Sequence, residues 1–279
     1  MPSTFRYVVC DVFTDTPLAG NQLAVFTDAR DIAEETLQPL ARELNLSETV
    51  FVYPAAADGH ARMRIFTPSV ELPFAGHPVL GTAFVLAQPL QLVEIRLETG
   101  RATVPVRLER DGPRITFGWM EQPLPSLESF DDPRLLPALR LERSELPVEL
   151  YDNGVRHVFV ALPSEDDVAG LEPDLAELAK IDAGINCFAG SGRRWKTRMF
   201  FPDHGVPEDP ATGSAAGPLA VHLARHGLAP WGEELEISQG TEIDRPSTLL
   251  ARAEGSDAGL DRVEVGGSAV VVARGEFRL

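Results

Sequence analysis

Two stretches of the chain set a titratable residue directly before a proline and an apolar run: His77 in "FAGHPVLGTAF" and Asp209 in "EDPATGSAAG". At an offset of 132 they align without a gap, His77-Pro78-Val79-Leu80-Gly81-Thr82-Ala83 against Asp209-Pro210-Ala211-Thr212-Gly213-Ser214-Ala215, as x-Pro-x-x-Gly-[Thr/Ser]-Ala. Proline favours the first helical position and the residue before it the N-cap, so each motif predicts a helix start. Asp209 suits a cap, worth about 1 kcal/mol, whereas His77 is not among the preferred caps. An imidazole and a carboxylate at two matched helix starts read as two sides of one cleft. The free N–H groups and positive dipole ends there suit a carboxylate or a developing enolate.

A third group comes from "NLSETVFV", where Glu48 alternates in phase with Val50 and Val52 and so points to the apolar face. Burial there raises a carboxyl pKa towards neutrality, which suits a proton shuttle. In the alternative register Thr49 and Phe51 face inward and Glu48 is solvated. The preceding helix, 33–44, has Asp31 and Glu34 at capping-box spacing, Pro39 to kink it or delay its start, and Asn45 to stop it. Other chemistries are less well supported. Neither loop carries the lysine of a P-loop, "GSGRRW" (190–195) precedes a strand rather than a helix, and no serine sits in a G-x-S-x-G elbow. His222 and His226 stand at i, i+4, but no Glu follows the first as in a zinc protease, and they read as a partly exposed polar face. Arg156 and His157 start a strand and either line the cleft or lie on the surface; His60 and His204 fall in loops.

The elements that must position these groups also come in two sets. "RIFTPSVELPFAGHPVLGTAFVL" and "RMFFPDHGVPEDPATGSAAGPLAVHL" each open as a strand and end as a buried helix, and "PLAGNQLAVF" and "YDNGVRHVFV" share an Asn/Gly pair before a Val- and Phe-rich strand. A repeat at half the chain length predicts two duplicated domains rather than a solenoid. Strands are expected near 4–13, 22–27, 48–53, 60–66, 92–98, 101–109 and 113–119, then near 147–152, 156–161, 184–188, 195–201, 234–239, 248–253, 261–265 and 268–277. Buried helices are expected at 77–87 and 211–226, a short helix at 172–180, and a proline-rich linker at 120–139. The fold class is therefore α+β, with two pseudo-symmetric domains at 1–127 and 128–266.

Composition narrows the partners. A net charge of −17 over 279 residues disfavours nucleic acid and anionic membranes, which need clustered cations. Cys10 and Cys187 each sit in an apolar run, as buried thiols rather than a disulfide or metal framework. Only Lys180 and Lys196 are lysines, which leaves few candidates for a Schiff base. The N-terminal residues show no signal-peptide pattern and no segment has a membrane-span length of apolar residues, so the chain is expected in the cytoplasm.

With "DVFTDTPLAGNQLAVF", "NLSETVFV", "RIFTPSVELPFAGHPVLGTAF", "NGVRHVFVAL", "NCFAG" and "GVPEDPATGSAAGPL" together, the chain resembles the PhzF-like family over essentially its full length. The one small departure is Gln22, where proline is common in the family. The resemblance implies a diaminopimelate epimerase-like fold, each sheet rolled around a central helix, with a last strand (about 267–279) returning to the first domain. It also implies a homodimer without metal or cofactor, and isomerisation of trans-2,3-dihydro-3-hydroxyanthranilate to its aminoketone. Glu48 then matches the proton-transferring glutamate, taking a proton at C3 and returning it at C1. His77 and Asp209 match the groups that position and protonate substrate, and Ser47, Gly76, Gly213 and Ser214 those that hold its polar atoms. Related racemases carry a cysteine at each helix start; here His77 and Asp209 are assigned to those places, which argues against a two-thiol racemase. The alternative is a related isomerase or epimerase acting on another small carboxylate.

Overall fold

The computed structural model describes residues 3–256 and 258–279. The described residues of the first half form strands β1 (Thr4–Val12), β2 (Asn21–Phe26), β3 (Glu48–Pro54), β4 (Ala61–Phe66), β5 (Glu71–Leu72), β6 (Glu94–Glu98), β7 (Thr103–Asp111) and β8 (Arg114–Glu121), with helices α1 (Glu34–Leu44) and α2 (Gly76–Leu90). Next come β9 (Ser126–Ser129), α3 (Leu135–Ala138), β10 (Glu149–Asp152), β11 (Arg156–Ala161), α4 (Glu165–Ala169) and α5 (Leu175–Leu178). The chain continues through β12 (Gly184–Ser191), β13 (Arg194–Phe201), β14 (Val206–Asp209), α6 (Gly213–Arg225), β15 (Leu235–Gln239), β16 (Ser247–Ser256), β17 (Gly259–Gly267) and β18 (Ala269–Arg278). No helix among the described residues is long and apolar enough to cross a membrane.

Strand pairing displays the internal repeat. Hydrogen bonds link β18-β1-β2-β3-β4-β6-β7-β8, cross from β8 to β17, and continue β17-β16-β15-β13-β12-β11-β10-β9; β5 adds to β4 and β14 to β13. The parallel pairs fall at corresponding places, β2–β3 and β4–β6 in one half, β11–β12 and β13–β15 in the other. The last strand runs antiparallel to the first, Thr4 opposite Arg278 and Val12 opposite Ala269. Its counterpart β9 pairs with β10. The stretch 120–139 is thus not a plain linker: β8 runs on to Glu121, β9 adds to a sheet, and α3 follows. Pro123 and Pro125 hold the chain extended into β9, and proline is tolerated beside an edge strand.

The helices sit where their composition demands. Residues 213–224 of α6 and 76–84 of α2 are buried all round, as expected of helices apolar on several faces. They meet at their first turns, where a Cβ on Gly76 would overlap the backbone of Gly213 and Ser214. Proline inside α6 is compensated. Pro218 has no N–H for the carbonyl of Ser214 four residues back, and Asn153 Nδ2 donates to that carbonyl at 2.8 Å instead.

Local details correct the sequence reading in several places. The cap of α1 is Ala33 without a side-chain bond, because Glu34 pairs with Arg64 at 2.8 Å rather than turning back in a capping box with Asp31. Pro39 lies inside α1 and does not delay its start, while Asn45 ends it in the left-handed region, φ 50°. The helix expected at 172–180 covers only Leu175–Leu178, capped by Asp174, and α4 precedes it. The helix expected from 211 begins at Gly213 with Thr212 as its cap, so Asp209 does not cap it. The helix expected from 77 begins at Gly76 with Ala75 as its cap, which puts His77 inside the first turn.

Candidate active site

The register of β3 settles where Glu48 points, though neither alternative from the sequence describes it fully. Residues 48–52 are all buried, because α1 covers one face of the strand and α2 the other. Phe51 joins the apolar cluster with Leu37 and Leu40 of α1, while Val50 joins the cluster around α2. Glu48, in phase with Val50, reaches a narrow cavity between α2 and α6. Its wall includes His77, Asp209, His157, Gly76, Gly213 and Ser214, with Leu72, Met199, Phe201 and Val206 as an apolar side.

Glu48 Oε2 lies 3.2 Å from His77 Nε2. Neither atom has a hydrogen-bond partner among the described residues, so the two touch without hydrogen-bond alignment. Burial, reinforced by the nearby Asp209 charge, raises the Glu48 carboxyl well above the ordinary range. Burial also pushes the His77 imidazole down to about 3, against a backbone hydrogen bond at Gln22. The contact therefore joins a neutral imidazole to a carboxyl whose protonated form burial favours, which suits a group that gains and loses a proton.

Asp209 ends β14 and enters the cavity through a tight knot of side chains. Its Oδ2 accepts from Thr212 Oγ1 at 2.6 Å and its Oδ1 from Asn21 Nδ2 at 2.8 Å. Gln239 completes the knot, accepting from the Thr212 N–H at 3.1 Å and donating to the Asp209 carbonyl at 2.7 Å. Burial raises the Asp209 carboxyl above its usual range, while hydrogen bonds from Thr212, Asn21 and Ser47 oppose that shift. Asn21 Nδ2 also stands 2.9 Å from the Ala211 carbonyl and 3.1 Å from His77 Nδ1, so one amide ties the two sides of the cleft together.

The structure brings Glu48, His77, Asp209, Gly76, Gly213 and Ser214 to one cavity, with Ser47 behind Asp209. The opening residues Gly76 and His77 of α2 and Gly213 and Ser214 of α6 line this cavity, and the N–H groups at such helix starts suit an anion. Asn21, Thr212 and Gln239 were not singled out as site residues by sequence. Asn21 did leave a signal, since it stands in the Asn/Gly pair that aligns with Asn153. His157 is fully buried and lines the cavity, which overturns its surface alternative, whereas Arg156 turns outward to Asp182 at 2.7 Å. The positions just before the helices are Ala75 and Thr212 rather than His77 and Asp209. Neither is a cysteine. Cys10 and Cys187 are free and buried, and desolvation pushes both thiols up to about 12.

The His222/His226 pair is not an exposed polar face. His222 is fully buried, and Glu149 of β10 joins both rings, 3.1 Å from His222 Nδ1 and 3.1 Å from His226 Nε2. These are metal-ligand types, but the same Glu149 oxygen accepts from Arg225 at 2.9 Å and from Tyr151 at 3.0 Å. A guanidinium already neutralises the carboxylate, and the group ties the end of α6 to β10.

Known proteins share this arrangement. The family described as phenazine biosynthesis-like protein, PhzC-PhzF, matches residues 10–275. The chain belongs to this family. Among PhzC-PhzF relatives, trans-2,3-dihydro-3-hydroxyanthranilate isomerase of Pseudomonas aeruginosa is 52% identical over 276 residues, 98% of this chain and 99% of the relative. The crystal structure of a PhzF family phenazine biosynthesis protein from Bacillus anthracis matches with a TM-score of 0.85 at 25% identity, over 99% of each chain. A hydroxyproline epimerase from Agrobacterium vitis, 12% identical, shares the fold at a TM-score of 0.70 over 99% of this chain and 91% of its own. The expected α+β, epimerase-like fold class is the one the PhzC-PhzF chain adopts.

Proposed function

We propose that the protein isomerises trans-2,3-dihydro-3-hydroxyanthranilate to its aminoketone by a proton shift through Glu48. The observation that carries this reading is the buried Glu48 carboxyl against His77 Nε2, in a cavity that also holds Asp209 and two helix starts. The 52% identity to a relative of that name supports the choice of substrate.

In its carboxylate form Glu48 accepts the C3 proton. The electrons of that bond form C3=C4, the C4=C5 pair moves to C5=C6, and the C6=C1 pair takes the proton back from Glu48 at C1. The enol at C3 then becomes a ketone as its hydroxyl proton is lost and C4 gains one. No electron leaves the ring and no atom is exchanged except protons, so the reaction requires neither an oxidant nor a group carrier. A raised carboxyl pKa is what a residue that is alternately base and acid near neutral pH needs. First-turn N–H groups, with Ser214, suit the substrate carboxylate, and His77 and Asp209 hold the hydroxyl- and amine-bearing edge of the ring. The reading carries with it a cytoplasmic homodimer acting on a small anionic cyclic substrate, without nucleic acid or membrane.

The test is incubation with trans-2,3-dihydro-3-hydroxyanthranilate. Loss of diene absorbance is expected and, in heavy water, label at the carbon that gains its hydrogen from solvent-exchangeable groups. No reaction at high enzyme concentration overturns the substrate assignment in favour of another small carboxylate.

A further inference from the structure

The cavity wall contains one fully buried imidazole that the proton shift does not use. His157 lies in β11, with its Nε2 3.0 Å from Ser214 Oγ in the first turn of α6. On its other side Nδ1 faces Asn186 Nδ2 at 3.4 Å, and that same nitrogen stands 3.0 Å from the Gly184 carbonyl and 3.4 Å from the Val158 carbonyl. A side-chain nitrogen set among carbonyl oxygens is the donor end of the amide, so His157 Nδ1 accepts and the proton of the neutral ring sits on Nε2. Nε2–H then donates to Ser214 Oγ. A hydroxyl oxygen that accepts in this way keeps its own proton to give, and Ser214 lines the cavity beside Gly76, His77 and Gly213. Gly184 leaves room for both neighbours: a Cβ there would stand 2.5 Å from the Met199 methyl and 3.2 Å from His157 Nδ1.

We infer that His157 is a positioning residue that makes the Ser214 hydroxyl a fixed hydrogen-bond donor to the substrate's carboxylate. This rests on reading the cavity as the site of a ring carboxylate. Burial holds the imidazole down to about 3, so the donor direction does not change across the working pH range.

The experiment compares His157→Leu, His157→Gln, Ser214→Ala and the His157→Leu/Ser214→Ala pair. KM and kcat are measured with trans-2,3-dihydro-3-hydroxyanthranilate, and Kd with benzoate, a ring carboxylate that cannot isomerise. His157→Leu should raise KM and the benzoate Kd by about five- to tenfold, the size of one lost hydrogen bond, and leave kcat within about twofold. His157→Gln, whose amide can still donate, should recover most of the loss, and His157→Leu should cost nothing further in the Ser214→Ala background. Unchanged KM and Kd in His157→Leu, or the same penalty with and without Ser214, overturns the inference. If the leucine variant does not fold, His157→Asn, too short to reach Ser214, takes its place with the same expectations. Wild-type protein that binds benzoate through His157 but does not turn over the diene would overturn the substrate assignment and support the positioning role. Failure of wild-type protein to bind benzoate overturns the positioning role itself.

Discussion

Laid on each other by strand pairing, the two halves of the chain have the same architecture and almost none of the same chemistry. In the first, β2 and β3 begin their parallel pairing at Leu23 and Glu48; in the second, β11 and β12 begin theirs at His157 and Gly184. Glu48 of one half therefore corresponds to a glycine in the other, and the His157 ring that bonds Ser214 corresponds to a leucine. The entries to the helices follow suit. From the end of β5 to α2 and from the end of β14 to α6 the spacing is the same, which sets Leu72 against Asp209, Ala75 against Thr212, and His77 against Ser214. Duplication supplied two equivalent walls, and the asymmetry of the cavity lies in which wall carries which side chain. A symmetric racemase can use the same group twice; this cavity does not.

The sharpest way to break that comparison is Glu48→Gln, which removes the group with no counterpart. It should lower kcat by about 10³- to 10⁴-fold, measured by loss of diene absorbance, while the circular dichroism spectrum stays unchanged. The same variant carries a stability signature. A carboxyl whose folded pKa is raised contributes stability below its unfolded pKa and loses it as pH rises through the folded value, so Glu48→Gln should raise Tm relative to wild type at pH 8 and leave it nearly unchanged at pH 4.

Asp209→Asn tests the opposite wall and should lower kcat/KM by about 10²-fold. It also removes a negative charge that raises the Glu48 pKa, so the acid limb of the residual rate profile should move to lower pH. A limb that stays in place would mean that the two carboxyls do not sense one another.

Gly76→Ala puts a methyl group where the two first turns touch, and should cost about 1–3 kcal/mol in chemical denaturation. Arg156→Ala, next to His157 in sequence but turned outward to Asp182, should change stability by less than about 0.5 kcal/mol and leave KM as it is.

Much of this was legible in one dimension because it rests on local rules. Alternation and turn chemistry predicted strands at nearly all the observed places, apolarity on every face predicted two enclosed helices, and Asn45 in a left-handed turn marked the end of α1. Glu48, His77 and Asp209 were visible as titratable groups in apolar surroundings. The internal match was visible too, but out of register. At an offset of 132 it pairs His77 with Asp209, whereas the ladders give 134 at β4 and β13 and 137 at the helix starts. The chain runs ten residues from Met199 to its partner Asp209 but seven from Ile65 to its partner Leu72, and a gapless comparison of Pro-x-x-Gly patterns cannot see a difference in a hairpin. The same limit hid the role of Thr212: proline after Asp209 suggested a cap, but the residues that follow stay extended until Gly213 because Gln239 holds them, and Gln239 is thirty residues away.

The sequence by itself determined the elements, the duplication and the presence of three unusual titratable groups, since propensity and periodicity act over a few residues at a time. Only the tertiary structure decided that β3 is covered on both faces, that Asn21 and Gln239 lock Asp209 in place, and that His157 stands behind Ser214. Those outcomes depend on contacts between segments 27 to 190 residues apart, where burial and hydrogen bonding, rather than local preference, select the arrangement.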